Sequence, residues 1–540
     1  MYGKFPRFAM LAFASFCLMF SMFGLQISVQ SSQYGPRVDE IVFYFCYDVT
    51  TAYEMMKAGE LDLIVFICVA HQPPLRDGTQ LGAEIYYDAI EDPNIQLAPL
   101  FAYDINSIDF NNNYTVPTYP DVRNPFNDEM FRQAVAHLVD KDKVIEEFCK
   151  GFAVRIDVPV AAPTSDDWKN MSVSGPNYPY PYDPATAAAM LDAAGFVQGS
   201  TPNPYYDPDL DWSAEYIRTY PSDWDGKAGE DLDPIVACIS TGDIYRLNIG
   251  MDLVDHLRKI GIPVNVIAGS YHDLYRRVFV DHDYHIYVGG WVVGRYPTYL
   301  YRFFHSKFWY PNGANHVTGL NKSGRPNYPL LDTYLENMWY AESIEEAKIW
   351  AKKAEGLLVS KAISIWLHSS KTYMVYRNLL GVVNHKLGGI SNIYTYLKAK
   401  TTHGGPIRAA LMGGPPETID ILNSSRIYEH AFLDLIYDAV FPGIAPYMPE
   451  RDQPWTVQDW SVAYWVDPKD GLNKTKVSVW FRKNISWIKP VTGEPSGYLT
   501  SNDYAFSVWY TLSRDCWKRD HLLDCLLYTS DAADEGLGVD

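Results

Sequence analysis

The sequence has few cysteines, and none of them stands at the spacing of a metal site or a disulfide framework. Seven cysteines occur in 540 residues, and no two form the CxxC pattern of a zinc or redox motif. A zinc site and a disulfide-stapled fold are therefore not predicted. We expect five of the cysteines to be small buried apolar side chains, namely Cys46, Cys68, Cys149, Cys238 and Cys516.

Positive charge is also scarce. Lysine and arginine total 45 against 65 aspartate and glutamate residues, a formal net charge of −20 at pH 7. A surface of that sign repels a polyanion, so nucleic acid is not expected as a partner. The GxSxG, HExxH, P-loop and dinucleotide-binding patterns are missing as well. No sequence motif therefore indicates an enzyme or a bound cofactor.

The length and the apolar content indicate a large folded protein. With 47% hydrophobic and 20% charged residues, the chain can bury more than one core and should form two or more lobes. At its start, Lys4 and Arg7 precede an apolar run from Phe8 to Leu25. This pattern predicts that residues 1–31 are an export signal, with an uncleaved membrane anchor as the alternative. Either way, the rest of the chain is expected outside the cytoplasmic membrane.

Strand and helix signals alternate after this segment. Val38 to Phe45 is predicted to be a strand, and Thr51 to Lys57 a helix that Gly59 ends. Leu61 to Val69 follows as a buried strand. The order of these elements predicts an α/β layer.

Later helices have clear start and end signals. Asp140 is predicted to cap one helix, and Asp183 another that ends near Gly195. In the helix before Asp140, the apolar spacing leaves Arg132 away from the apolar face. The residues of that apolar face are Phe131, Val135, Leu138 and Val139.

The order of these segments resembles the family of extracytoplasmic solute-binding proteins that serve peptide and nickel ABC importers. The resemblance implies two α/β lobes of a type II periplasmic-binding-protein-like fold, joined by extended hinge strands that close around a ligand. It also implies a protein that is not an enzyme. The matching segments are Val38-Asp-Glu-Ile-Val-Phe, Ala58-Gly-Glu-Leu-Asp-Leu, Phe131-Arg-Gln-Ala through Asp142, Tyr182-Asp-Pro through Phe196, Met251 to Pro263, and Gly289-Gly-Trp.

The halves of the chain depart from the order of that family. A stretch like Gly404 to Asp420 opens the mature protein in the family, whereas here it comes late. We therefore expect a circularly permuted chain, or one derived from tandem copies. Residues 38–400 would supply both lobes and residues 404–524 would complete the first lobe. Residues 525–540 look like translated sequencing-adapter read-through and not native protein. An incomplete fold is therefore a further alternative.

The candidate ligand site lies at the end of a predicted strand through Ile286 and Val288. Two glycines follow and permit a close approach to the backbone before Trp291. In peptide-binding relatives, an aspartate near the next loop often pairs with the ligand's amino terminus. Arg295 stands there instead and suits a ligand carboxylate, with a surface salt bridge as the alternative. The candidate ligand-binding residues are Tyr287, Trp291, Arg295 and Tyr296.

A metal site is a weaker interpretation of the nearby polar residues. Asp281, His282, Asp283 and His285 have suitable chemistry for nickel or zinc. On a strand, however, His282 would point away from the other three. A solvated strand edge is the favoured interpretation, and no metal is predicted.

The predicted function is capture of a peptide-like ligand and its delivery to the permease subunits of an ABC importer in a bacterium or archaeon. The chain would meet the membrane through the permease or an anchor. One alternative is an oligosaccharide-binding protein of the same family, which the 15% aromatic content favours. Another is an exported glycoside hydrolase with paired carboxylates. Turnover separates these, because a binding protein releases its ligand unchanged.

Overall fold

The computed structural model describes most residues between 36 and 519. The predicted export segment, the suspected read-through and Cys68 lie outside the described residues. Within the described part, no helix has both the length and the apolar character needed to cross a membrane. Outside it lie residues 1–35, 47–48, 66–80, 242, 270, 309–317, 321–327, 388, 413–417, 425–426, 439–442, 445, 449–450, 469–470, 472, 490–491, 515, 517–518 and 520–540.

Strands and helices alternate through most of the described chain. The strands are β1 (Ile41–Cys46), β2 (Leu63–Val65), β3 (Ile95–Phe101), β4 (Asp104–Phe110), β5 (Ala153–Arg155), β6 (Gln198–Pro202), β7 (Tyr216–Arg218), β8 (Ile235–Ser240), β9 (Val264–Gly269), β10 (Ile286–Val292), β11 (Ser364–Arg377), β12 (Leu379–Leu380), β13 (Lys400–Thr401), β14 (Ile407–Met412), β15 (Gly443–Ile444), β16 (Asp452–Gln453), β17 (Val457–Val466), β18 (Asn473–Phe481), β19 (Ser486–Ile488) and β20 (Pro495–Tyr498). The α-helices are α1 (Val49–Lys57), α2 (Leu81–Glu91), α3 (Glu129–Ala136), α4 (Lys141–Lys143), α5 (Pro184–Ala193), α6 (Ile244–Lys259), α7 (Tyr271–Tyr275), α8 (Tyr299–Phe304), α9 (Pro329–Trp339), α10 (Ile344–Ser360), α11 (Ile393–Lys398), α12 (Ile427–Ile436) and α13 (Ser501–Ser513).

One ten-stranded sheet runs through the molecule. Its main path has the order β1-β14-β2-β11-β4-β10-β8-β9, and β3 and β5 both pair with β11 beside this path. At one end, β14 is parallel to both β1 and β2. At the other end, β8 is parallel to both β9 and β10. Parallel strands connected through helices confirm the predicted α/β class.

The long strand β11 belongs to both halves of this sheet. Its residues Ser364–Ser370 pair with β4 and β5, whereas Lys371–Arg377 pair with β3. Strands β3 and β4 are consecutive in the chain, so the link between them also passes from one half of the sheet to the other, beside β11. Two extended connections therefore join a first lobe, built around β1, β14, β2 and β3, to a second lobe, built around β4, β5, β10, β8 and β9. The predicted two-lobed architecture is confirmed.

Each lobe buries its own apolar side chains. In the first lobe, Ile64 faces Met56 of α1, while its neighbours Leu63 and Val65 face Tyr396 of α11 on the other side of the sheet. This alternation follows from the period of two along a strand. In the second lobe, one large cluster joins β4, β8 and β10 to the helices around them. Cys46, Cys149 and Cys238 are buried, as predicted, and Cys516 is half-buried.

The helix caps agree with the sequence signals. The Asp140 carboxylate accepts hydrogen bonds from two amides of α4, and the Asp183 carboxylate accepts one from the Thr186 amide in α5. Gly195 ends α5 with a φ of 88°, a left-handed conformation that glycine adopts without strain. The apolar face predicted for α3 and the turn after it is buried at all four positions.

Arg132 contradicts its predicted orientation. Its side chain is fully buried and its guanidinium donates to Phe126 O at 2.7 Å, Lys361 O at 3.1 Å and the Tyr328 hydroxyl at 2.9 Å. The five N–H groups of an arginine can be satisfied inside a protein where enough oxygens converge. Helical periodicity alone does not reveal such a cluster of acceptors.

The segment after Gly404 contributes a central strand to the first lobe. Strand β14 lies between β1 and β2, with Ile407 opposite Ile41 and Ala409 opposite Leu63. By contrast, none of the described residues from 458 to 513 belongs to a hydrophobic core cluster. The permuted order of the halves stays a prediction.

Candidate functional site

A cleft of about 1260 Å³ lies between the lobes at the connection from β3 to β4. Hinge residues Leu100, Phe101 and Tyr103 line it, so each lobe reaches the same space. The first lobe adds Asn384, Lys386 and Tyr447, and the second lobe adds Val154, Thr164, Asp167, Trp168, Arg295, Tyr296, Glu345 and Lys348.

Arg295 and Tyr296 reach the cleft on the loop that follows β10. The Val293 amide donates to Tyr103 O at 2.8 Å, which fixes the start of this loop against the hinge. The Arg295 guanidinium lies 4.8 Å from the centroid of the Tyr296 ring. Its Nη2 donates to Asp452 Oδ1 at 2.5 Å. Since Asp452 belongs to β16, this ion pair joins the loop after β10 to the segment after Gly404.

A second group of cleft residues surrounds Lys348 of α10. Its ammonium lies 2.5 Å from Asp167 Oδ2 and 2.7 Å from Glu345 Oε1. The hydrogen bond from Lys348 lowers the pKa of Asp167. Beside them, the Trp168 ring packs against Tyr296, with ring centroids 5.5 Å apart. Only 4% of Trp168 is exposed, so the contribution of this tryptophan is to pack against Tyr296 and hold its ring in place.

Two of the four predicted site residues, Arg295 and Tyr296, are thus brought together in the cleft. Trp291 and Tyr287 are not among its lining residues. Both lie on one face of β10, where the segment Arg276–Val280 covers them through Phe279. Trp291 packs against Phe303 at 5.1 Å between centroids. Their contact with a ligand stays a prediction, which this packing does not favour.

The two glycines of β10 make room for neighbouring side chains of the second lobe and do not line the cleft. A Cβ added at Gly290 would lie 2.5 Å from Asn106 Oδ1, and one at Gly289 would collide with the Tyr287 ring. Glycine is therefore required where β10 passes these two side chains. The signal read from the sequence as a close approach was real, but it concerned the core of the second lobe.

The polar residues before β10 have structural partners. Asp283 pairs with Arg277 and accepts a hydrogen bond from the Thr118 amide at 2.7 Å. His285 Nδ1 accepts from the Val236 amide at 3.0 Å, and burial lowers the pKa of His285 to about 3. The solvated-edge interpretation is wrong for His282 and His285, which are both buried, and His285 is a neutral core residue. Among the residues that the structure describes, no group of three potential metal ligands occurs.

Sequence reasoning missed Trp168, Asp167 and Lys348. The first two lie in a one-turn helix within a loop and the third lies on α10. Nothing in their local spacing distinguishes them from ordinary surface residues. They become cleft residues only because α10 packs against that loop, at a sequence separation that a local pattern does not report.

Comparison with known proteins decides the family. The model described as "Bacterial extracellular solute-binding proteins, family 5 Middle" matches residues 32–311, more than half of the chain. The chain belongs to this family. Members of the family are non-enzymatic binding proteins found in the periplasm or outside the cell.

This solute-binding family member matches only part of the length of its individual relatives. Heme-binding protein A of Haemophilus influenzae is 28% identical over 200 residues, 34% of this chain and 31% of that protein. The oligopeptide-binding protein AppA of Bacillus subtilis, solved with a nonapeptide, superposes with a TM-score of 0.48 at 18% identity, covering 66% of this chain and 58% of that one. NikZ of Campylobacter jejuni, solved with Ni(L-His), gives 0.47 at 19% identity, covering 66% and 60%. The chain thus spans about a third of the curated relative and under two thirds of these structures.

Proposed function

We propose that this chain captures a peptide-like ligand between its lobes and delivers it unchanged to the permease subunits of an ABC importer. The observation that carries the proposal is one space of about 1260 Å³ lined from both lobes and from hinge residues Leu100 and Phe101. That volume suits a short peptide. A ligand that contacts both lobes favours their closed arrangement through its differential affinity for that state.

Arg295 is the proposed contact for a ligand carboxylate. A guanidinium binds a carboxylate through two parallel hydrogen bonds, and in this structure Arg295 Nη2 already donates to the carboxylate of Asp452. We propose that the ligand replaces Asp452 in this pairing. The half-buried Tyr296 ring beside Arg295 would then contact the body of the ligand.

The cleft chemistry favours binding over hydrolysis. Two carboxylates, Asp167 and Glu345, line the described part of the cleft, and both contact the Lys348 ammonium. A glycoside hydrolase needs a general acid with a raised pKa, whereas Lys348 lowers the pKa of Asp167. An oligosaccharide ligand stays the alternative, because the exposed rings of Phe101 and Tyr447 line the cleft although Trp168 is almost fully buried.

Export and membrane association complete the proposal. An exported chain that associates with a permease accounts for the apolar segment after Arg7 and for the family's extracytoplasmic members. We further propose that residues 404–524 complete the first lobe, and the pairing of β14 with β1 and β2 supports this.

Isothermal titration calorimetry on the full chain, with each ligand recovered for mass spectrometry, tests the proposal. The panel contains tripeptides to pentapeptides with free or amidated C-termini, oligosaccharides, nickel and heme. We expect binding of peptides with a free carboxylate, weaker binding of the amides, and recovery of intact ligand. Cleaved ligand would identify an enzyme, and binding of oligosaccharides alone would establish the sugar-binding alternative.

A further inference from the structure

A second cavity, of about 1110 Å³, lies in the first lobe beside α11. It is bounded by α11 on one side and by the segments around Trp455 and Arg482 on the other. No residue lines both this cavity and the interlobe cleft. We refer to it as the α11 cavity.

Three cationic side chains line the α11 cavity, namely Arg37, Lys398 and Arg482. Within the described residues, none of the three forms an ion pair, and Arg482 Nη2 makes one long hydrogen bond, to Pro454 O at 3.4 Å. The lining includes one acid, Asp438, which accepts the Trp455 indole N–H at 2.6 Å. A local excess of positive charge in a chain of net charge −20 creates a focused field that attracts anions.

The walls of the α11 cavity are mostly apolar. The rings of Tyr394 and Trp455 meet edge to face, with centroids 6.0 Å apart and planes at 82°. Leu397 and Ile485 extend this apolar surface. An aromatic or aliphatic body can therefore leave water against these side chains, while the cations remain available to a charged group.

We propose that the α11 cavity is a second binding site, distinct from the interlobe cleft, for an amphiphilic anion. Such a ligand carries an apolar or aromatic body and a carboxylate, sulfonate or phosphate group. The body packs against Trp455 and Leu397, and the anionic group pairs with Arg482 and Lys398. The site goes beyond the proposed transport of peptides, since its lining shares no residue with the interlobe cleft.

Paired fluorescent probes test this site on the full chain. Anilinonaphthalene sulfonate has an aromatic body with an anionic group, and N-phenyl-1-naphthylamine has a closely related body without the charge. Titrations compare the unmodified chain with the double variant Lys398→Gln/Arg482→Gln. The matched control is Lys400→Gln/Lys483→Gln, which removes two exposed lysines that lie within two residues of Lys398 and Arg482 but outside the cavity lining.

We expect the dissociation constant of the anionic probe to rise about tenfold in the double variant, roughly threefold for each exposed charge removed. The neutral probe and the control variant should show no change. A tenfold rise in salt should weaken only the anionic probe in the unmodified chain, which gives the same discrimination without a substitution. Equal binding of both probes, or loss in the control variant, would overturn the proposal.

Discussion

Asp62 and Arg408, 346 residues apart in the chain, form an ion pair in the first lobe, and 24% of the Arg408 side chain is exposed. Asp62 is completely buried, and its carboxylate accepts from Arg408 Nη2 at 2.9 Å, Nε at 3.1 Å and the backbone amide at 2.9 Å. His403 Nε2 lies 3.1 Å from the same carboxylate. The pair joins the residue just before β2 to β14, and therefore joins the segment after Val38 to the segment after Gly404.

Removing this carboxylate should destabilise the first lobe. Asp62→Asn leaves the Arg408 guanidinium partly buried without its counter-charge, and we expect a loss of about 3 kcal/mol in the free energy of unfolding. Urea unfolding followed by circular dichroism measures it. The matched control is Asp39→Asn, an exposed aspartate just before β1, which should change stability by less than about 0.5 kcal/mol. Equal stability of the two variants would show that the ion pair contributes nothing.

The same pair predicts a dependence on acid. Burial alone would raise the pKa of Asp62, but the hydrogen bonds from Arg408 and His403 outweigh burial and hold it below its usual value. A carboxyl group with a lowered folded-state pKa stabilises the protein fully above its unfolded pKa, near pH 4, and loses that contribution as the pH falls through the folded value. The stability difference between the unmodified chain and Asp62→Asn should therefore shrink below pH 4. A difference that stays constant between pH 7 and pH 3 would contradict this account.

Arg295 and Asp452 give opposite predictions for ligand binding. Arg295→Ala should weaken a peptide with a free C-terminal carboxylate about tenfold, because a charge-assisted hydrogen bond contributes about 1.5–3 kcal/mol. Asp452→Ala should tighten the same peptide severalfold, because the ligand no longer competes with an internal carboxylate. Calorimetric titration measures both changes. Arg276→Ala, at an exposed arginine remote from the cleft, is the control. Unchanged affinity in Arg295→Ala would remove this residue from the binding site.

Glu355 of α10 predicts the reverse dependence on pH. Its side chain is fully buried, Oε2 accepts from the Asn170 amide at 2.7 Å, and Oε1 has no hydrogen-bond donor among the described residues. Burial raises the pKa of Glu355 well above its usual value. The folded protein therefore holds a proton that the unfolded chain releases, so stability falls as the pH rises above about 4.3.

The variant Glu355→Gln removes this titration at nearly constant shape. We expect it to unfold at a higher urea concentration than the unmodified chain at pH 8, with the difference shrinking towards pH 4. Glu91→Gln, at an exposed glutamate, is the control and should leave the pH profile unchanged. A variant less stable than the unmodified chain at pH 8 would show that the ionised carboxylate contributes to the fold.

The sequence predicted those elements whose signals are local. The caps at Asp140 and Asp183 act within one helical turn, so neighbouring residues suffice to predict them. The acceptors of Arg132 include the carbonyl of Lys361, and the partner of Asp62 lies in β14, so neither could be predicted from neighbours. The two lobes were predicted through the family resemblance.

The candidate site shows the same division. Arg295 and Tyr296 could be named because they follow a recognisable strand, whereas the partner of Arg295, Asp452, lies 157 residues further on. Trp291 was expected in the cleft because it ends a strand. However, it shares the face of β10 with Tyr287, and the segment Arg276–Val280 covers that face. Strand alternation predicts that two residues share a face, but it does not predict which face another element covers.

The ribbon of β17 and β18 should be the least protected part of the sheet structure in the described chain. These strands pair with each other over nine positions and with no other described strand. Apolar side chains such as Val462, Tyr464 and Trp480 remain about half exposed, and a two-stranded ribbon is marginally stable in water.

Amide hydrogen exchange read by mass spectrometry should therefore be at least about a hundredfold faster in β17 and β18 than in β8 and β10, whose opening requires disruption of the second-lobe core. Because all four strands are read in one molecule under one condition, β8 and β10 serve as the internal reference. Equal protection would mean that the exposed apolar faces of the ribbon are covered in solution, by a second copy of the chain or by another segment. Exchange measured over a dilution series would distinguish these two explanations, since only coverage by a second copy depends on protein concentration.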